Sequence, residues 1–411
     1  MTIFVSIAAY RDPELIPTIR DCIARARWPD ELRFGVCWQH GAGEERPPAL
    51  PGRKLRLLDV PWHQSQGACW ARAEIMKLYA GEDYFLQLDS HHRFAQDWDA
   101  LLLDQMARSG AAKPLLTTYG TPFDPAAPLP PGQPTSIAIP LFRGDGIPVF
   151  QCLLRPDWGD GGAPVRARFL SAHLLFAQGS FVSEVPYDPE LYFYGEEITL
   201  AARAFTQGYD LFHPGVHILW HQEPRRVTPL HWDDHVPGGE VAISARERDI
   251  ASLAKVRRFL ARPATGAFGC GTARSFAQYE SYVGVNFRRR YASAAARQGQ
   301  EPPVPAAAGP GEVKPWNIRI VLDRAAVPPP ALDRPAFWYV GFHDSEDREL
   351  ARADARAPEL SEALSRDSRE IVLERRIWTA HPPRSWTVWP TDRSGQWLGK
   401  LSGPVDAECL T

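Results

Sequence analysis

Residues 84–94 of this 411-residue chain read Tyr-Phe-Leu-Gln-Leu-Asp-Ser-His-His-Arg-Phe. Asp89 and His91 stand two positions apart, and on an extended backbone such residues point the same way. A carboxylate and an imidazole on one side of a strand can grip a single divalent cation. The apolar run Tyr84–Leu88 predicts the buried strand that would carry them. In open α/β sheets the carboxyl ends of strands are where ligands gather. The plainer alternative is an Asp that caps a following helix beside a satisfied polar histidine.

Two further groups could do chemistry. Gly195-Glu196-Glu197 stands where an aromatic segment turns into an amphipathic helix. Acids are favoured in a first helical turn by the helix dipole, yet two carboxylates beside aromatic rings also suit a sugar or an acceptor hydroxyl. His213, His217 and His221 are spaced by four, as three ligands on one helix face would be. Pro214-Gly215 breaks that helix and there is no HExxH, so a zinc-hydrolase reading is set aside. His221 at a strand end is the better candidate for one extra ligand. Arg288-Arg289-Arg290 reads as a solvated face.

The elements that must position these residues follow from periodicity. Ile3–Ala8, Leu32–Trp38, Lys54–Val60 and Leu115–Tyr119 read as strands. Pro13–Ile23, Trp70–Tyr79 and a segment from Asp97 read as helices, with Asp12 as the N-cap of the first and Pro13 at its first position. This alternation predicts a mostly parallel, Rossmann-like sheet, although no GxGxxG is present. Residues 120–168, rich in Pro and Gly, read as a long loop region with a few short strands over a cleft.

Residues 1–292 are read as this α/β domain, 293–314 as an Ala-, Pro- and Gly-rich linker, and 315–411 as a small all-β domain of sandwich or barrel type. Its tryptophans are expected in the core. The net charge of -3 offers no general basic surface for nucleic acid. No apolar run reaches membrane-spanning length, and the N-terminus lacks the features of a signal peptide. Six scattered cysteines without a CxxC pair are expected to be reduced thiols, and a cytoplasmic enzyme follows.

Taken in order, Ser6–Leu15, Ala71-Arg72, Gln87–His91, Gly195-Glu196-Glu197 with Arg203, Gly208-Tyr209-Asp210 and Trp220-His221 form a pattern. It resembles the polypeptide N-acetylglucosaminyltransferases, including cytosolic enzymes that modify hydroxyproline, and more distantly the polypeptide N-acetylgalactosaminyltransferases. The resemblance spans about Thr2 to Arg290. It implies a GT-A fold, UDP-GlcNAc as donor, a polypeptide hydroxyl as acceptor, Mn2+ (or Mg2+) as cofactor and retention of anomeric configuration. It further implies Asp89, His91 and His221 as metal ligands. Ala8, Tyr10, Arg11, Arg72, Gln87 and Ser90 fall at the nucleotide sugar, and Glu196 and Glu197 at the catalytic acid motif. The competing readings are a metal-dependent nucleotidyltransferase or hydrolase using the same strand end, and a non-catalytic sugar- or protein-binding protein.

Overall fold

The computed structural model describes residues 1–51, 54–158, 162–223, 229–303, 314–333, 335, 337–365, 368–379 and 382–405. By compactness the chain divides into two units, residues 1–284 with 295–308, and residues 285–294 with 309–411. The expected linker runs partly outside the described residues, at 304–313. Its start carries a short helix, Ala294–Arg297.

The first unit alternates strands and helices. In chain order these are β1 (Ile3–Tyr10), α1 (Leu15–Arg25), β2 (Leu32–His40), β3 (Leu55–Pro61), α2 (Ala68–Met76), β4 (Tyr84–Asp89), β5 (His92–Phe94), α3 (Trp98–Arg108), β6 (Pro114–Thr117) and β7 (Thr121–Phe123). There follow β8 (Thr135–Phe142), β9 (Pro148–Leu154), β10 (Val165–Arg166), β11 (Leu174–Gln178), α4 (Phe181–Glu184), α5 (Glu196–Thr206), β12 (Asp210–His213) and β13 (Leu219–Gln222). Eight strands form one sheet in the order β10-β12-β6-β11-β4-β1-β2-β3.

β1 pairs in parallel with both β2 and β4. Such a central strand is buried on both faces, which is why it reads as an almost unbroken apolar run. Ile3, Val5 and Ile7 pack with Leu15 and Ile19 of α1 and with Trp98 and Leu102 of α3. β1, β2, β3 and β4, from the first hundred residues, pair in parallel as expected, and the sheet becomes mixed beyond them, where β11 inserts antiparallel between β4 and β6. The Pro- and Gly-rich region 120–168 contains a real hairpin, β8 with β9, longer than its composition suggests.

A second, smaller sheet has the order β5-β13-β7. It matters because β5 continues directly from the end of β4. α1 begins at Leu15 with Glu14 at its cap position and no side-chain cap. The expected Asp12 cap is therefore corrected: one Asp12 oxygen accepts from the Glu14 N–H, while the other is spent elsewhere.

The second unit is sheet-based, as expected. Lys314–Asp323 pairs antiparallel with Glu370–Thr379. Phe337–His343, Ser385–Pro390 and Leu401–Pro404 belong to a second sheet. Both contribute to one apolar core containing Ile320, Leu373, Trp338, Val340 and Val388. Trp338 is fully buried, in line with a core role, whereas Trp397 is 44% exposed. The unit also holds a helix, Ala357–Ser365, whose single fully buried residue, Leu360, leaves little periodic signal in the sequence.

Cys22, Cys37, Cys69, Cys152 and Cys270 are free thiols; Cys409 lies outside the described residues. Among the described residues, no helix is long and apolar enough to cross a membrane.

Candidate active site

β4 ends at Asp89, and the chain turns through Ser90 and His91 to open β5 at His92. β13 lies antiparallel to β5 with His221 directly opposite His92. That register delivers His221 from a point 130 residues away in the chain. His91 Nε2 and His221 Nε2 are 3.0 Å apart, and Asp89 Oδ2 is 3.6 Å from His221 Nε2. Ligand atoms of Asp89, His91 and His221 all lie within 4.8 Å of one another. The close approach needs Gly120, since a Cβ there would sit 2.7 Å from the backbone nitrogen and Cβ of His221.

The orientation of His91 is held from behind. Its Nδ1 is 2.7 Å from Asp12 Oδ2, which also accepts from Ser90 Oγ at 2.6 Å. A carboxylate only accepts, so His91 carries its proton on Nδ1 and presents the Nε2 lone pair toward His221 and Asp89. Carboxylate–histidine pairs of this kind orient metal-ligating imidazoles. Arg11, whose backbone takes φ +47, makes the turn that brings Asp12 back to the end of β4. One carboxylate and two imidazoles, one of them locked in the right tautomer, form a mixed oxygen and nitrogen donor set that could hold a divalent metal ion.

The three residues open onto a cavity of about 500 Å³. Ala8, Tyr10, Arg72, Ser90, Glu196 and Glu197 line it with them. Two of the expected nucleotide-sugar residues do not. Gln87 is fully buried in the sheet, and its Nε2 donates to the Ala172 carbonyl at 2.8 Å. Arg11 is engaged by Glu44 at 3.0 Å and Asp234 at 2.9 Å. Both act one step behind the wall: Ala172 N–H donates to Glu197, and Tyr10 O–H donates to the same Asp234.

Comparison with known proteins bears on this pocket. Residues 2–52 and 45–289 match the family model described as "Glycosyltransferase (GlcNAc)". The chain belongs to that glycosyltransferase family. None of the curated proteins matches it in sequence. Among solved structures, it is similar to GalNAc-T7 with UDP, GalNAc and Mn2+, at 15% identity and a TM-score of 0.46, over 63% of this chain. It spans about half, 48%, of that chain's length. It is also similar to S. aureus TarS 1-349 in complex with UDP-GlcNAc, at 12% identity and a TM-score of 0.40, over 71% of this chain and 72% of that one.

In this glycosyltransferase the acids of the cavity sit in different environments. The buried Arg72 guanidinium bridges Glu196 Oε1 at 2.6 Å and Asp89 Oδ1 at 2.7 Å. The other Glu196 oxygen takes a hydrogen bond from the Cys69 thiol. Burial pushes the Asp89 carboxyl up, but its contact with His221 and the Arg72 guanidinium outweigh this and hold it well below the usual carboxylate range. Glu197, half-buried, is different. Burial pushes it up to about 8, against a weaker downward pull from the Ala172 N–H. Tyr119 Oη lies 3.4 Å from each of its oxygens.

Three residues beside the cluster carry little signal in the sequence. Asp12 reads as a helix cap. His173 stacks on His221 with ring centroids 3.6 Å apart, and as a lone histidine in an apolar run it carries no local signal. Tyr119, which faces Glu197, reads only as the end of a strand. His213 and His217 stay out of the cluster, bonded to Thr117 and to Gln133 with Thr121.

Proposed function

We propose that this glycosyltransferase transfers N-acetylglucosamine from UDP-GlcNAc to a polypeptide hydroxyl in the cytoplasm, with retention of configuration. Asp89, His91 and His221 would hold Mn2+ (or Mg2+). The observation that carries this reading is the convergence of those three residues, with Asp12 behind His91, at a strand end that opens onto a cavity of about 500 Å³ in a GlcNAc-family member. Scattered free thiols support the cytoplasmic setting, and hydroxyproline joins serine and threonine as an acceptor because of the sequence resemblance.

When bound there, a divalent cation neutralises charge developing on the departing diphosphate. The chain's own residues do the rest. Arg72 keeps Asp89 ionised and in place. Ala8 and Tyr10, at the end of β1, offer the wall for the nucleoside. Glu197, protonated near neutrality, can donate to the donor sugar while Tyr119 and Ala172 fix its position. Neither glutamate suits a nucleophile: Glu196 is committed to Arg72 and Cys69, and Glu197 holds its proton. This favours front-face attack. The acceptor oxygen bonds to the anomeric carbon as the bond from that carbon to the phosphate oxygen breaks. The acceptor proton passes to the departing phosphate.

The test is UDP release from UDP-GlcNAc with threonine-, serine- and hydroxyproline-containing peptides, in Mn2+, Mg2+ or EDTA, with NMR of the product anomer. Metal-dependent UDP release with an α-linked glycopeptide is expected. Release of UMP and sugar phosphate would support the nucleotidyltransferase or hydrolase reading instead. Absence of both UDP release and Mn2+ binding would defeat the proposal.

A further inference from the structure

The second unit carries a cavity of its own, about 650 Å³ in volume, within the roughly 300–1,000 Å³ range of small-molecule sites. Its lining follows from the register of the sheet that holds Phe337–His343, Ser385–Pro390 and Leu401–Pro404. Tyr339 stands opposite Trp389, Gly341 opposite Thr387 and His343 opposite Ser385. Thr387 is paired on its other side with Ser402. Successive side chains alternate between the faces of a sheet, so these residues share one face. Trp338, Val340, Trp386 and Val388 take the other, which joins the apolar core. The face turned away from the core is therefore built of rings, hydroxyls and an imidazole.

Folding alone does not account for three features of this face. Trp397 lines the cavity and is 44% exposed, although it lies 4.5 Å from the Trp389 ring and 5.6 Å from the Phe337 ring, between centroids. The turn before it is ordered, with Asp392 Oδ1 accepting from the Ser394 and Gln396 N–H groups at 2.8 and 3.0 Å. Gly341 leaves a hollow in the sheet, across which the Tyr339 ring lies; a Cβ there would sit 2.1 Å from the Tyr339 hydroxyl oxygen. His343 lines the cavity with both ring nitrogens buried and without a hydrogen-bond partner among the described residues. Asp347 Oδ1 stands 3.9 Å from its Nδ1, beyond hydrogen-bonding reach. Buried polar atoms left unmatched cost stability unless a ligand or water meets them.

We propose that this face of the second unit binds a neutral carbohydrate, with a sugar ring against Trp397 and its hydroxyls bonded to His343, Thr387 and Ser402. A pyranose has a face of C–H groups, and covering it with an indole removes apolar surface from water. A neutral imidazole has one donor and one acceptor nitrogen, and sugar hydroxyls both give and take protons. A proline-rich segment would suit the rings, but its carbonyls only accept and would leave the acceptor nitrogen unmet. A polyanion would call for unpaired guanidinium groups. Of the charged lining residues, Arg352 is already paired with Asp354 at 2.8 Å, and Asp347 balances Lys400, whose ammonium lies 4.2 Å over the Trp389 ring. Such binding is independent of transfer and of the metal cluster.

The experiment is calorimetric titration of the full chain with chitotriose, cellotriose and maltotriose, alongside a proline-rich decapeptide and a sulfated disaccharide. At least one neutral trisaccharide should bind, and excess UDP with Mn2+ should leave its affinity unchanged. Trp397→Ala should weaken that binding about tenfold, as expected for losing an aromatic anchor, while Trp397→Tyr should keep most of it. His343→Ala should weaken it too, and His343→Gln, which still offers a donor and an acceptor, should recover part of the loss. Far-UV circular dichroism and a cooperative melt check that each variant is folded. No binding of any neutral trisaccharide, equal affinity in wild type and folded Trp397→Ala, or displacement by UDP would overturn the site. So would tighter binding of the peptide or of the sulfated sugar.

Discussion

The two units spend their buried volume differently. In the second, the described core is apolar: Ile318, Ile320, Trp338, Val340, Leu373 and Val388 are essentially inaccessible. Arg375 is buried at its edge, paired with Glu359 and the Ala353 carbonyl. In the first, the carboxyl end of β1 and β4 buries Asp12, Arg72, Ser90, His91, Glu196 and His221 together. Burying ionisable groups is costly unless they are paired. Here nearly every pairing ends at Asp89, His91 or Glu196. The described core of the second unit is apolar, whereas the first gives up part of its core to hold charged donors in one geometry.

The largest expected effect comes from removing a cluster member. His221→Ala should lower metal-dependent UDP release on the order of a thousandfold, measured by steady-state assay, with little change in melting temperature. A variant that kept full Mn2+-dependent turnover would erase the contrast between the units.

A matched pair sharpens it. Trp338→Ala, in the apolar core, and Arg72→Met, in the charged one, should each cost about 3–5 kcal/mol by chemical denaturation. Only Arg72→Met should also lower turnover per folded molecule, because Asp89 loses its partner. Equal loss of turnover in both would mean the units are not separable in this way.

Asp12→Asn is expected to weaken Mn2+ binding about 10- to 100-fold, read by Mn2+ electron paramagnetic resonance titration. The fold should survive, since the amide can still accept from the Glu14 N–H. Unchanged affinity would make Asp12 a purely structural residue.

The smallest effect concerns pH. Glu197 is raised from its ordinary 4.5 to about 8 in the folded protein, so the folded state binds more protons than the unfolded state between those values. Its contribution to stability is therefore fully present below 4.5 and is lost as pH rises through about 8. Urea unfolding across this range should show a steeper alkaline decline for the wild type than for Glu197→Gln. Parallel curves would show that the side chain is solvated and ordinary.

Much of the fold was legible because it is written locally. Continuous apolar runs identified β1, β2 and β4, and a 3.6-residue period identified α1 and α3. The antiparallel insertion of β11 and the β8–β9 hairpin were not legible, since strand direction and partner choice depend on distant pairing. The site was legible in part for the same reason. Asp89 and His91 share a strand end, and strand geometry alone aligns them. Glu196 and Glu197 are neighbours in sequence, yet the sequence treats them alike. Only packing against Arg72 and Cys69 on one side, and burial beside Ala172 and Tyr119 on the other, separates a carboxylate committed to an ion pair from one whose pKa is pushed up to about 8.

By itself, then, the order of residues determined the strand that carries Asp89 and His91, the helix that begins at Glu196, and the alternation that makes an α/β sheet. These follow from side-chain period and backbone preference within a few residues. The tertiary structure alone decided that His221 stands opposite His92, that Asp12 orients His91 rather than capping a helix, and that Trp397 and His343 line one cavity. Those outcomes depend on strand register and on which buried charges find partners, and both are settled only when segments far apart in the chain are brought into contact.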